Sequence, residues 1–171
     1  MNAESDAMNA ESDAMNAESD AMNLEQAAPT GVDEQAAVDR ARRRLGIDGV
    51  SGFMGMRWDS PERIRLEIRP ELIGAGGLLS GVATYALVDY CMGSTLWVHT
   101  TEQEHIATIN ISINYIQTAT EGEIVCTSTL DRRNRSNAVL RSEVRHEDGR
   151  LLVTAIGNYA IFPARRSGSA V

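Results

Sequence analysis

The chain has 171 residues, 43% of them hydrophobic, and a formal net charge of −8, which is typical of one globular domain with a sizeable core. The charge lies at one end, because residues 1–28 hold seven acidic side chains and no basic one. The other 17 acidic side chains are balanced by 16 basic ones, so the sequence lacks the large basic surface of a nucleic-acid-binding protein.

The first residues form a repeat. MNAESDA occurs three times in succession over residues 1–21, with methionine as the single large apolar side chain of each copy. A coiled-coil seam requires two such side chains per seven residues. We therefore interpret residues 1–28 as a weakly helical acidic heptapeptide-repeat tail without chemistry of its own. Residues 29–49 are predicted to hold an N-terminal helix, over 33–45, and a linker, since acids precede arginines there and Gly46 follows.

A half-buried strand is predicted within residues 53–69. Its apolar side chains alternate with charged ones until Pro70 ends the pattern: Ile64, Leu66 and Ile68 against Arg63, Arg65, Glu67 and Arg69.

Residues 76–97, GGLLSGVATYALVDYCMGSTLW, contain one charged side chain, Asp89. Glycines interrupt the apolar run, so we predict a buried helix and no membrane span. Helical spacing places Val82, Tyr85 and Gly93 on the same stripe as Asp89. We therefore expect a carboxylate among apolar side chains, where it is costly unless it has a partner.

Four strand signals follow the helix, over residues 106–117, 123–131, 137–146 and 150–162. In the first of them, one face carries Ile109, Ile111, Ile113 and Tyr115, and the other carries Thr108, Asn110, Ser112 and Asn114. Residues 147–149 are a hairpin turn with glycine at the position of positive φ. One long apolar helix followed by such strands predicts an α+β fold in which an antiparallel sheet wraps around the central helix.

Cellular context is predicted from what the sequence lacks. Cys91 and Cys126 fit buried thiols of a reducing compartment. The sequence begins with no charged segment followed by an apolar signal core, so we expect a cytoplasmic protein without membrane contact. His99, His105 and His146 lack metal-ligand spacing, and no cofactor motif is present, so neither a metal nor a cofactor is expected.

Three segments together resemble the hotdog-fold acyl-CoA thioesterases of the phenylacetate-pathway and 4-hydroxybenzoyl-CoA type. They are SGVATYALVDYCMG, TINISINYIQTATEGEIVCTSTLDRRNR and VRHEDGRLLVTAIGNYAIF. The resemblance covers residues 50–163 and implies a hotdog thioesterase-like domain there, with residues 164–171 as a C-terminal tail.

The resemblance assigns roles to Gly81 and Asp89. The backbone N–H of Gly81 would polarise the thioester carbonyl, and Asp89 would act as general base or nucleophile. Two departures accompany these matches. Ser80, Gly81 and Val82 stand where the family usually has His-Gly-Gly, and Gly93 stands where some members have a hydroxyl.

A helix N-terminus suits the first role, because its free N–H groups and dipole stabilise a developing oxyanion. Gly81 and Asp89, however, are separated by about 12 Å along one helix. Two antiparallel helices related by a twofold axis would join Gly81 of one chain to Asp89 of the other. We therefore expect a homodimer with two composite sites, and a homotetramer formed as a dimer of dimers.

Further substrate-binding candidates surround these two residues. Ser80 is interpreted as an N-cap or as a residue that lines the site in place of the family histidine, and Val82 lies beside it. The guanidinium groups of Arg132, Arg133 and Arg135 would suit the phosphates of coenzyme A, although charged hairpin loops are also commonly just solvated. Asn114 shares a strand face with Asn110 and Ser112 and would bind pantetheine amides or a second dimer.

Two functions remain open. The first is hydrolysis of an aliphatic or aryl acyl-CoA thioester to free acid and coenzyme A. The alternative is a non-catalytic acyl-CoA-binding hotdog protein, consistent with the missing histidine and hydroxyl. A hotdog dehydratase is a weaker third, because that chemistry uses a histidine and this helix has none.

Overall fold

The computed structural model describes residues 49–164. The predicted acidic tail at 1–28, the predicted helix at 33–45 and all but the first residue of the predicted tail at 164–171 lie outside the described residues. Within residues 49–164, no helix is long and apolar enough to cross a membrane.

The described chain contains two α-helices, one 3-10 helix and six strands. In chain order they are α1 (Gly49–Met54), β1 (Arg57–Ser60), β2 (Arg63–Glu67), the 3-10 helix (Pro70–Leu72), α2 (Gly81–Trp97), β3 (Glu104–Tyr115), β4 (Glu123–Arg133), β5 (Asn137–His146) and β6 (Leu151–Pro163).

The six strands form one antiparallel sheet in the order β1-β2-β4-β5-β6-β3. Strand β3 crosses to the far side of the sheet and pairs with β6 instead of with β4. Its other edge pairs with no strand of the described residues. Helix α2 packs across β2 to β6 on one face, which confirms the predicted α+β hotdog fold with one central helix.

The core lies between α2 and the sheet. Leu87, Val88 and Met92 of the helix are fully buried, and Ile64 and Leu66 of β2 meet them from the sheet side. The alternation in β2 is as predicted, because its charged neighbours are exposed. Cys91 and Cys126 are both buried and both free thiols, as expected.

The predicted stripe of α2 exists, but it is the least covered side of the helix. Val82 is 79% exposed, Tyr85 is exposed, and Asp89 and Gly93 are half-buried. We call these four residues the helix stripe. The expectation that they lie inside the core of one chain is wrong, because the sheet covers only the opposite side of the helix.

Helix α2 begins at Gly81, five residues later than the apolar run suggested. The preceding residues use their backbone groups differently: Leu79 N donates to Ala119 O, and Ser80 N donates to Leu72 O. Upstream, the single strand expected within residues 53–69 is divided, since α1 ends at Met54 and β1 and β2 form a short antiparallel pair.

A β-bulge in β3 breaks the predicted alternation. The register with β6 shifts between Thr108 and Asn110, so Ile109 is the extra residue and is 63% exposed. Beyond the bulge Ile111 is buried, as expected. Before it, however, Thr108 faces α2 instead of sharing a face with Asn110, because one extra residue inverts the two sides of a strand.

We expect Gly122→Ala to destabilise the fold more than Gly149→Ala. Both glycines have positive φ, 86° and 90°, so both alanines carry the backbone penalty of about 1–2 kcal/mol. Only at Gly122 would the new Cβ meet another group, His146 Nε2 at 2.6 Å, and that ring is held by Glu121 O and Asp148. Crowding adds roughly 1–3 kcal/mol. Urea unfolding of both variants measures the difference, and equal losses would contradict the packing described around Gly122.

Candidate functional site

The N-terminus of α2 carries unpaired donors. Ser80 occupies the predicted N-cap position with extended φ and ψ of −62° and 129°, but its side chain makes no capping hydrogen bond. Within residues 49–164, the N–H groups of Gly81 and Val82 have no acceptor. The first turn also holds no acidic side chain. The positive end of the helix dipole is therefore not neutralised by this domain.

A cavity of 660 Å³ opens beside these N–H groups. Its walls come from the start of α2, the end of β3 and the start of β6, and none of its lining side chains is charged. They are Leu78, Leu79, Ser80, Gly81, Val82, Thr84, Tyr85, Tyr115, Gln117, Thr118, Leu152 and Val153. The composition fits an uncharged, largely apolar ligand group.

Tyr115 contacts Gly81, the first residue of helix α2. Its hydroxyl donates a hydrogen bond to Gly81 O at 2.9 Å, and its ring covers the same residue. A Cβ at position 81 would lie 3.4 Å from both Cζ and Oη of Tyr115. That distance is an ordinary van der Waals contact, so an alanine would fit beside this ring.

Asp89 is held by two hydroxyl groups. Tyr159 and Thr108 both donate to its Oδ1, at 2.6 Å and 2.8 Å. Its Oδ2 accepts no hydrogen bond from the described residues. Tyr159 is only 1% exposed, and burial, reinforced by the hydrogen bond to Asp89, raises the pKa of its phenol. The phenol therefore keeps its proton and remains a donor, which leaves Oδ2 as the free oxygen of a fixed carboxylate.

Sequence reasoning did not identify Thr108 or Tyr159. Thr108 reaches Asp89 because of the bulge at Ile109, and no residue in that stretch signals a bulge. Tyr159 was detectable in principle, since it continues the alternation of Val153, Ala155 and Gly157 that faces the helix. A buried tyrosine normally requires a hydrogen-bond partner, and the only charged residue of the central helix was an available one.

The structure does not bring Gly81 and Asp89 together within one chain. Eight residues of helix separate them by about 12 Å, and Asp89 does not line the cavity. Both, however, are in contact with β3, Gly81 through Tyr115 and Asp89 through Thr108. The helix stripe therefore lies alongside the edge strand of the sheet.

The three candidate arginines differ in their surroundings. Arg133 is half-buried and bound to Glu104, with Nη2 to Oε1 at 2.7 Å. Arg132 and Arg135 are exposed, and Arg132 donates to Asn134 Oδ1 at 3.1 Å. Their hairpin lies at the end of the sheet where Asn137 pairs with Ala160, next to Tyr159. The arginines are therefore at the Asp89 end of the domain and away from its cavity.

Asn114 lies at the other end of the sheet. It is exposed, pairs in register with Thr154 and shares the outward face of β3 with Asn110 and Ser112, as expected.

Gly93 stands where some members of the family have a hydroxyl group, and the neighbouring Ser94 does not supply that hydroxyl to the site. Ser94 is fully buried, and its Oγ accepts a hydrogen bond from Trp58 Nε1 at 3.2 Å.

Within residues 49–164, no group of three or more His, Cys, Asp or Glu side chains could hold a metal ion. His105 instead stacks on Phe162, with ring centroids 6.0 Å apart.

We expect Tyr159→Phe to destabilise the protein mainly through Asp89. A hydrogen bond to a charged acceptor contributes about 1.5–3 kcal/mol, so the variant should lose that much free energy of unfolding. In an Asp89→Ala background the same change should lose clearly less, because the acceptor is absent. Urea unfolding of the four proteins at one concentration gives the coupling energy. Strictly additive losses would show that the two groups do not interact.

The comparisons with known proteins agree with this architecture. Residues 76–153 match the family model described as the thioesterase superfamily. None of the curated proteins matches the chain. Among solved structures, a conserved protein from Pseudomonas aeruginosa is 27% identical, with a TM-score of 0.64 over 70% of this chain and 98% of its own.

Two further structures are more distant in sequence and show the fold alone. A thioesterase family protein from Silicibacter pomeroyi has 17% identity and a TM-score of 0.69, over 75% of this chain and 99% of that one. A thioesterase from Haemophilus influenzae has 14% identity and a TM-score of 0.65, over 74% and 91%. The described domain therefore has the hotdog fold, and its residues 76–153 are similar to the thioesterase superfamily.

Proposed function

We propose that the protein hydrolyses an acyl-CoA thioester, aliphatic or aryl, to the free acid and coenzyme A. The observation that carries this proposal is the open N-terminus of α2, whose unpaired N–H groups lie beside an uncharged, largely apolar cavity. Such a cavity suits the acyl group, and such donors suit the thioester carbonyl next to it.

The Gly81 N–H is the proposed oxyanion donor. When the carbonyl carbon is attacked, negative charge develops on its oxygen, and a fixed N–H group at a helix N-terminus stabilises that charge without reorganisation. The missing family histidine does not remove this donor, because it belongs to the backbone. Ser80 and Val82 line the same cavity and would contact the substrate there.

Asp89 is the proposed base or nucleophile. As a base, its free Oδ2 takes a proton from a water molecule whose oxygen forms the new bond to the carbonyl carbon. The C–S bond then breaks, and the proton passes to the sulfur of the leaving thiol. As a nucleophile, Oδ2 forms the bond itself, and the C–S bond breaks to release the thiolate. Water then hydrolyses the resulting anhydride, which yields the free acid, regenerates the Asp89 carboxylate and supplies the proton for the thiolate.

A dimer is required because one chain cannot supply both groups to one carbonyl. The helix stripe, which contains Asp89, lies alongside β3, and the outer edge of β3 pairs with no strand of residues 49–164. Unpaired edge strands commonly associate. A twofold axis that brings Gly81 to Asp89 of the partner passes midway between them, at Tyr85. The exposed apolar side chains of Val82 and Tyr85 support such a contact.

The coenzyme A portion is assigned to the β4–β5 hairpin. Arg132 and Arg135 are exposed there, at the Asp89 end of the domain, and guanidinium groups bind phosphates well. Arg133 would have to break its ion pair with Glu104 to bind a phosphate, and we therefore expect it to contribute less to coenzyme A binding than Arg132 and Arg135. In a composite site, the acyl group would enter the cavity of one chain and the nucleotide would meet the arginines of the other.

We expect Asp89→Asn to lower kcat for thioester hydrolysis by roughly 10²- to 10⁴-fold, because an amide neither accepts a proton from water nor attacks the carbonyl. The loss of kcat is measured as thiol release from a panel of alkyl-CoA and aryl-CoA thioesters. Asp59→Asn is the matched control, since Asp59 is an exposed aspartate of the β1–β2 hairpin bound to Arg63 and Arg65.

Equal rates in wild type and in an intact Asp89→Asn dimer would exclude Asp89 from the chemistry. Binding of acyl-CoA by the wild type without turnover of any thioester would contradict hydrolysis and favour the alternative, a non-catalytic acyl-CoA-binding protein.

We expect Gly81→Pro to lower kcat by roughly 10²- to 10³-fold, because it removes the N–H donor. Proline is accepted at the first position of a helix, and the extended Ser80 is compatible with a following proline. Gly81→Ala is the control: it keeps the N–H and introduces the same Cβ near Tyr115, so it should lose far less. Similar losses in both variants would contradict the role of this N–H.

The same variants test whether the site is composite. A heterodimer of a Gly81→Pro chain and an Asp89→Asn chain, co-expressed with two affinity tags, has one intact site if Gly81 of each chain acts with Asp89 of the other. It should regain about half of the wild-type activity. If each site lay within one chain, the heterodimer would be as inactive as either parent.

A further inference from the structure

The hydrogen bond between Tyr115 and Gly81 has no part in the function proposed above. Tyr115 Oη donates to the carbonyl oxygen of Gly81 at 2.9 Å, and both residues line the cavity. The carbonyl of Gly81 and the N–H of Val82 belong to the same peptide group. That N–H is the second donor at the helix N-terminus without an acceptor in the described residues.

The geometry of the peptide group connects the Gly81 carbonyl with the Val82 N–H. The described chain contains no cis peptide bond, so the C=O of Gly81 and the N–H of Val82 point in opposite directions. A donor on the carbonyl oxygen draws electron density through the amide and makes the N–H more acidic. Such cooperative strengthening amounts to about 10–30% per hydrogen bond.

We propose that the Val82 N–H is a second oxyanion donor and that Tyr115 is its positioning residue, which polarises and orients the Gly81–Val82 peptide through the Gly81 carbonyl. This inference rests on the proposed thioester hydrolysis and extends it to a residue outside the helix. The thioester carbonyl would thus meet two adjacent N–H groups, one from Gly81 and one from Val82.

Two properties of Tyr115 suit this role. Burial raises the pKa of its phenol, and the nearby Tyr85 raises it further, so the hydroxyl keeps the proton that it donates across the neutral range. The ring also packs against Gly81, where a Cβ would lie 3.4 Å from Cζ and Oη. The ring therefore sets the position of the peptide, and the hydroxyl sets its polarity.

The first test is spectroscopic and does not depend on activity. In Tyr115→Phe the ring remains and the hydrogen bond to Gly81 is lost, so the amide proton resonance of Val82 should move upfield. Tyr90→Phe is the matched control on the same helix, because the Tyr90 ring packs against Trp58 and away from the cavity. An unchanged Val82 amide in a folded Tyr115→Phe protein would overturn the proposal.

The second test separates a positioning role from a purely structural one. We expect Tyr115→Phe to lower kcat by roughly 2- to 10-fold with KM unchanged, because the weakened donor acts on the oxyanion of the transition state. Tyr90→Phe should change neither constant. A raised KM with unchanged kcat would assign Tyr115 to substrate binding alone and overturn the proposal.

The two proposals fail in different ways. Unchanged kcat in Tyr115→Phe, with wild type active and Asp89→Asn inactive, overturns the role of Tyr115 and leaves hydrolysis intact. No thiol release by wild type overturns the proposed function, and the proposed role of Tyr115 with it.

Discussion

The packing of one helix against one sheet is the constraint on which the rest of this domain depends. A sheet face can cover only one side of a helix, so α2 buries the side with Leu87, Val88 and Met92 and leaves the helix stripe uncovered. Its only charged side chain, Asp89, lies on that uncovered side. A carboxylate there needs only two hydroxyl partners, whereas on the buried side it would lie among fully enclosed apolar groups. The same constraint therefore produces the core and leaves the candidate catalytic group, half-buried, on the side of the helix away from the sheet.

Strand β3 connects the two ends of the helix stripe. Thr108 at one point of the strand binds Asp89, and Tyr115 near its end binds Gly81. The bulge at Ile109 makes this possible, since without the extra residue Thr108 and Tyr115 would lie on opposite faces of the strand. One edge strand thus orients the carboxylate and the helix N-terminus, and its outer edge pairs with no strand of residues 49–164.

The fold followed from the sequence because its main signals are periodic. The alternation of Ile64 with Arg63 and Arg65, and the apolar run around Leu87, reflect burial directly. The stripe with Asp89 followed from helical spacing, although its exposure did not, because spacing shows which residues share a side and not what covers that side. The bulge at Ile109 and the engagement of Arg133 with Glu104 depend on the register between distant strands, which no local pattern contains.

Under the proposed function, the open N-terminus of α2 is stability given up for substrate binding. Serine is among the preferred N-cap residues, and a capping bond contributes about 1 kcal/mol. Ser80 has the residue type and the extended backbone for a cap, yet its hydroxyl makes no bond to the first turn, and that turn contains no acidic side chain. Both usual means of neutralising a helix N-terminus are absent here, and a cavity adjoins this N-terminus. Local rules that fail in this way tend to mark functional sites. A substrate carbonyl that gains negative charge during attack would complete the cap only in the transition state, which is the condition for raising kcat.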